Sequence, residues 1–259
     1  MLIDTHTHLY VSQFNEDRTE VIQNAINSGV EKMIFPGINS SYIDIQNKLA
    51  NDFSKNCFSA FGLHPGDVKE DFKAELSLVE KELKKGNSVA VGEIGIDLYW
   101  DKSFINEQKQ AFEQQIIWAK EYKLPIIIHV REAFSEVFEI VDKLNDKNLT
   151  GIFHSFTGNL EQANKIIDYK GFKIGINGIV TFKNSGLDKV VSHIDMKHIV
   201  LETDSPYLSP VPKRGKRNES LHLIYIAEKI AEIKGISLQE VSKITNKNAI
   251  EVFGKELLF

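Results

Sequence analysis

One cysteine, six prolines and no long apolar run define this 259-residue chain by what it is short of. A single thiol, Cys57, cannot close an intrachain disulfide, and it supports neither a Cys-x-x-Cys redox pair nor a zinc ribbon, so a reducing, cytoplasmic setting is expected. The most apolar stretches, such as 126–128 and 33–35, fall far short of the roughly 20 residues that span a bilayer, and no membrane partner is expected. The opening residues carry Asp4 and His6 where a signal peptide would have lysines and then an apolar segment, so export is not expected either. Positive charge is not in excess: 31 Lys and Arg against 36 Asp and Glu leave a net charge of -5, so any nucleic acid must be held locally rather than drawn in by a global field. Neither GxGxxG nor GxxxxGK[ST] occurs, and no GxSxG surrounds Ser155, which removes support for nucleotide-cofactor, kinase and serine-hydrolase chemistry.

What is there is an ordinary globular composition, 42% hydrophobic and 26% charged, without linkers, low-complexity tracts or repeats, so residues 1–259 read as a single domain. Short β-branched or apolar runs at 1–4, 32–36, 58–62, 89–92, 125–129, 151–154, 172–176 and 199–202 predict eight strands. Amphipathic segments such as 18–28, 76–85, 106–122, 133–144 and 160–169 predict helices between them, and 221–234 and 238–245 close the chain. Eight βα units in about 250 residues, with strands apolar enough to be covered on both faces, predict an α/β fold of the TIM-barrel type, (β/α)8. A doubly wound sheet is the alternative architecture.

The polar residues at the strand ends carry the chemistry. His6 and His8 are two apart at the end of the first strand, so alternation points both imidazoles to one side, where they can share a metal ion; a polar strand end is the plainer explanation. Glu93 follows the fourth strand, His129 and His154 end the fifth and sixth, and Asp204 follows the eighth with Glu202 two residues before it. Taken singly, each has an ordinary explanation as a solvated acid, a core histidine or a turn cap. Together they fall at the carboxyl ends of strands that meet at one barrel mouth, where barrel enzymes build active sites. Four histidines with two or three carboxylates exceed one tetrahedral ion but suit two divalent ions bridged by a carboxylate, for which Glu93 is the natural choice. His64 ends the third strand and either touches a substrate phosphate or a metal-bound water, or braces the turn at Pro65. His193, His198 and His222 lie away from the predicted mouth, and Cys57 reads as a small core residue.

These blocks, IDTHTHL, GLHPGD, VGEIGIDLYW, IIIHVREA, GIFHSFTGN and LETDSPYLSP followed by KRGKRNE, resemble the TatD family of metal-dependent deoxyribonucleases over nearly the whole chain. The resemblance implies a TIM barrel of the amidohydrolase type, with one metal on His6, His8, Glu93 and Asp204 and a second on Glu93, His129 and His154. Leu98, where an aromatic is common, and Ser220, where proline is usual, are its departures. The expected activity is cleavage of DNA phosphodiester bonds, in single strands or at an end, by a water activated between two divalent ions (Mg, Mn or Zn), with Asp204 ahead of Glu202 as proton acceptor. The alternative is hydrolysis of an ester or amide, such as removal of D-amino acids from tRNA. No obligate protein partner is evident. The basic cluster Lys213, Arg214, Lys216 and Arg217 follows the eighth strand, and Arg214, Lys216 and Arg217, with His64, are the expected substrate-binding residues.

Overall fold

Eight short strands run parallel around a common axis: β1 Leu2–Asp4, β2 Val30–Phe35, β3 Cys57–Ser59, β4 Val91–Asp97, β5 Ile126–Arg131, β6 Gly151–Phe153, β7 Phe172–Ile176 and β8 Ile199–Leu201. The computed structural model describes residues 1–254 and Leu257. Ladders join β1-β2-β3 and β4-β5-β6-β7-β8. Backbone bonds bridge both remaining seams: Gly92 N–H donates to the Phe61 carbonyl at 3.0 Å, and Thr5 N–H donates to the Leu201 carbonyl at 3.0 Å. A doubly wound sheet would leave two open edges; here the strands form a (β/α)8 barrel.

Helices α1 Arg18–Asn27, α2 Ile43–Asp52, α3 Phe72–Leu83, α4 Ile105–Tyr122, α5 Phe134–Leu144, α6 Leu160–Asp168 and α7 Leu187–His193 connect the strands, and α8 Leu223–Lys234 and α9 Leu238–Phe253 follow β8. Each turns its apolar stripe onto the barrel, as α5 does with Val137, Phe138, Ile140 and Val141. Local chemistry sets their starts: Asn159 and Gln162 form a reciprocal capping box on α6, and Ser237 accepts from Glu240 N–H at the start of α9. One residue in or next to each of seven strands (Ile3, Ile34, Ala60, Ala90, Ile127, Ile152 and Val200) packs with Ala249, Val252 and Phe253 of α9, which plugs the lower end of the barrel. Among the described residues, no helix is long and apolar enough to cross a membrane.

The expected boundary of the fourth strand is corrected. The strand does not end at residue 92 but runs through Asp97, because Ile94 to Asp97 pair with Ile128 to Arg131 of β5. Glycine permits the close approach: a Cβ on Gly95 would stand 2.0 Å from the His129 carbonyl oxygen. β4 and β5 therefore project beyond their neighbours at the mouth, and Glu93 lies inside a strand rather than after one. Cys57, expected just before the third strand, is its first residue and is buried.

Candidate active site

Strand alternation fills the upper barrel. Ile127, Ile152 and Val200 point inward, so the residues two further on, His129, His154 and Glu202, point inward one layer higher. Glu202 has room because β7 offers glycine opposite: a Cβ on Gly175 would fall 2.3 Å from Glu202 Oε2. His6, His8 and Asp204 arrive from the segments just beyond β1 and β8, tied together by the Asp204 N–H bond to the His6 carbonyl at 2.9 Å. Asp4 anchors the same corner, accepting from Thr203 N–H at 2.9 Å and from its hydroxyl at 2.6 Å. Burial pushes the Asp4 carboxyl up to about 7, against the pull of these hydrogen bonds.

Two clusters of donor atoms share Glu93. In the first, His6 Nε2 and His8 Nε2 are 3.0 Å apart. His6 Nε2 lies 3.1 Å from Glu93 Oε2 and 3.7 Å from Asp204 Oδ1, and His8 Nε2 lies 3.5 Å from each. In the second, Glu93 Oε1 lies 2.7 Å from His129 Nδ1, 3.1 Å from His154 Nε2 and 3.3 Å from His64 Nε2. A tetrahedral ion with ligand bonds of about 2.1 Å has edges of about 3.4 Å, so the spacing within the first cluster fits a cation held among four donors.

Tautomers decide which nitrogens offer lone pairs. The Tyr10 hydroxyl donates to the Pro36 carbonyl, so at 2.7 Å from His8 Nδ1 it must accept, which puts the His8 proton on Nδ1 and turns the Nε2 lone pair into the cluster. His64 behaves oppositely. Its Nδ1 accepts from Gly66 N–H at 2.9 Å, so Nε2 carries hydrogen and faces Glu93 as a donor. One edge of His64 thus caps the turn at Pro65, and the other presents an N–H to the cavity. His129 is clamped between two carboxylates, with Nε2 3.0 Å from Asp97 Oδ2. Glu202 stands behind His154, its Oε1 3.3 Å from Nδ1 and accepting from Ser155 N–H at 2.5 Å.

Charge follows this packing. Burial alone would raise the Glu93 carboxyl, but His154, His64 and His6 around it and the His129 hydrogen bond hold it well below its usual range. Asp204 is likewise opposed by burial yet lowered by His8, His154 and His6. Burial disfavours a charged His154, but Glu93 and Glu202 overcome it and raise the imidazole well above its ordinary value. His6, in contrast, is lowered by burial and by the charge on His154. Carboxylates that draw protons onto buried imidazoles offer the same negative charge to a cation, so the donor chemistry fits bound metal.

His8, Glu93, His129, His154 and Asp204, singled out in the sequence, line one open cavity of about 630 Å³ together with His64, while His6, also singled out, is fully buried against Glu93 and Asp204. Three expectations change. Glu202 is 1% exposed and faces His154, so of its two expected roles only orienting that imidazole has a contact behind it. Arg217 does not line the cavity: it donates to Asp17 Oδ2 at 2.5 Å, to Glu219 at 3.0 Å and to the Gln13 carbonyl, and lies over the Phe14 ring. Arg214 lies over Phe182, and neither it nor Lys216 lines the cavity. Asn218, their neighbour, is pinned to the Thr203 and Tyr207 carbonyls. Tyr10, Asp97 and Arg131 went unnoticed in sequence. Asp97 in GEIGID and Arg131 in HVRE are the last residues of the strands that carry Glu93 and His129, and that adjacency is the signal that could have found them.

The sequence model of the family described as TatD related DNase matches residues 3–254. The uncharacterized metal-dependent hydrolase YabD of Bacillus subtilis is 38% identical over 254 residues, covering 98% of this chain and 99% of the relative. The 3'-5' ssDNA/RNA exonuclease TatD of Citrobacter koseri is 31% identical over 259 residues, covering 98% and 99%. Among solved structures, the TatD homolog YJJV of Escherichia coli k12 superposes with a TM-score of 0.91 at 27% identity, covering 97% of each chain.

Proposed function

Because the chain belongs to the TatD family of metal-dependent hydrolases, we propose that it hydrolyses phosphodiester bonds of DNA, with a single strand or a strand end as substrate. The observation that carries this reading is the division of one carboxylate between two clusters, Glu93 Oε2 toward His6 and His8 and Oε1 toward His129 and His154. His6, His8, Asp204 and Glu93 would hold one divalent ion, and Glu93, His129 and His154 a second; mixed imidazole and carboxylate donors suit zinc, manganese or magnesium. Bound there, two such ions supply the positive charge that polarises a phosphate oxygen and makes water a nucleophile near neutral pH.

The chain's own residues do the rest. Asp204 is ionised at neutral pH and reaches the cavity, so its carboxylate accepts the proton released by the attacking water. His64 donates its Nε2 hydrogen to a non-bridging phosphate oxygen. Tyr10 fixes the tautomer of His8, while Asp97 and Glu202 fix the orientations of His129 and His154. The buried thiol of Cys57, the single cysteine, accords with a cytoplasmic setting.

The test is incubation with an end-labelled single strand after chelation, followed by addition of single divalent ions. Activity lost on chelation and restored by an ion is expected. Full activity in protein shown by elemental analysis to be metal-free, or cleavage of an aminoacyl ester with none of the strand, overturns the reading.

A further inference from the structure

The β4 and β5 extensions carry a feature that the metal clusters do not explain. Asp97 and Arg131 are register partners at the tips of these strands, and Tyr99 and Trp100 come after Asp97 with Leu98 between. Trp100 is 76% exposed and Tyr99 48%, whereas the other tryptophan, Trp118, is buried. The two exposed rings meet edge to face with centroids 4.7 Å apart, and the Arg131 guanidinium lies 3.8 Å from the Tyr99 centroid and 5.3 Å from that of Trp100. Asp97, the nearest acid in register, is occupied by His129 and by Tyr99 N–H, and no carboxylate pairs with Arg131 among the ion pairs of the described residues. Trp100 and Arg131 line the same cavity as Glu93 and Asp204, and Arg131 is the one lysine or arginine among its lining residues.

We propose that Tyr99, Trp100 and Arg131 form a subsite in which an unpaired nucleobase stacks on the exposed ring while the guanidinium grips the adjoining phosphate of the strand. This deepens, and rests on, the phosphodiesterase reading of the neighbouring clusters. An aromatic face accepts any base, because every base has a π-face. A base inside a duplex has both faces covered by its neighbours, so the subsite selects unpaired strands. In a chain of net charge -5, one unpaired cation beside two aromatic rings supplies the local grip that a global field cannot. Continuity with the cavity favours a polynucleotide occupant: a strand whose phosphate reaches Glu93 and Asp204 must leave the mouth across its walls, and the Arg131 wall is the one carrying a cation.

The test uses the metal-loaded protein and a fluorescein-labelled oligothymidylate with hydrolysis-resistant phosphorothioate linkages, read by anisotropy. Trp100→Ala is expected to bind it roughly 10-fold more weakly, with Trp100→Phe retaining most of the affinity and a blunt duplex unaffected. Arg131→Gln should lower the slope of log affinity against log salt by about 0.7, as for one phosphate contact on a single strand. Trp100→Ala binding within twofold of the parent, or losing strand and duplex affinity equally, overturns the subsite. So does self-association of the parent that Trp100→Ala abolishes while strand binding is unchanged, since the patch would then be a contact between copies. If binding depends on Trp100 but the parent cuts no unmodified strand with any divalent ion, the hydrolytic reading fails and the subsite stands.

Discussion

His8 Nδ1 lies 2.7 Å from the Tyr10 hydroxyl, and because that hydroxyl is committed as a donor to the Pro36 carbonyl, the imidazole is left one tautomer, with its Nε2 lone pair aimed at the donor cluster. Tyr10→Phe removes the acceptor and leaves the Pro36 carbonyl without its partner. Metal affinity is expected to fall roughly 10- to 100-fold, as for other residues that orient a ligand, with turnover at saturating metal changing less. Isothermal titration with the divalent ion checks this, and unchanged affinity would mean His8 needs no orienting partner.

Glu93→Ala should be at least as damaging as any single histidine change. Its carboxylate faces both clusters, one oxygen to each, whereas each histidine serves one. Elemental analysis is expected to find Glu93→Ala nearly metal-free and His129→Ala with about one ion per chain. Two bound ions and parental turnover in Glu93→Ala would remove the bridging assignment.

Glu202→Gln keeps the shape of the side chain but weakens its hold on His154. Activity should fall by roughly 10- to 100-fold through the loss of an orienting carboxylate. The pH profile of the residual activity should keep its shape, because Asp204 and not Glu202 takes the proton. A displaced acid limb of the profile would return Glu202 to a direct role.

Arg217 should act on stability rather than on substrate. Its hydrogen bond to Asp17, aided by its charge, holds that carboxyl below its ordinary value. A folded-state value below the unfolded one means the stabilisation is present above about pH 4, the unfolded carboxyl range, and is lost as pH falls through the lower folded value. Arg217→Met is therefore expected to lower Tm by about 2 °C at pH 6, as for roughly 1 kcal/mol in a chain of this size, with the gap closing toward pH 3. Oligonucleotide affinity should hold within twofold, and a large loss would restore Arg217 to the substrate surface.

The sequence by itself determined the alternation of strand and helix and the inward placement of His129 and His154, because both follow from short-range rules: apolar runs mark buried strands, and a period of two marks their faces. His6, His8 and Asp204 were legible as polar residues close after a strand, but β1 ends at Asp4 and β8 at Leu201, so the period of two does not reach them and their direction is set by the loops. What only the tertiary structure decided depends on partners distant in the chain. Arg217 is held by Asp17, 200 positions away, and Tyr10 is oriented by Pro36, just past the end of β2. Glu202 and Asp204, two residues apart, part company because one faces the space above Gly175 and the other reaches the cavity. Strand extension beyond Glu93 was hidden by its glycines, which usually punctuate a strand; here they permit the close β4–β5 approach that carries Asp97 and Arg131 to the mouth. Local pattern sets which way a side chain points, but barrel closure sets what it meets, and at this site the meetings assign the roles.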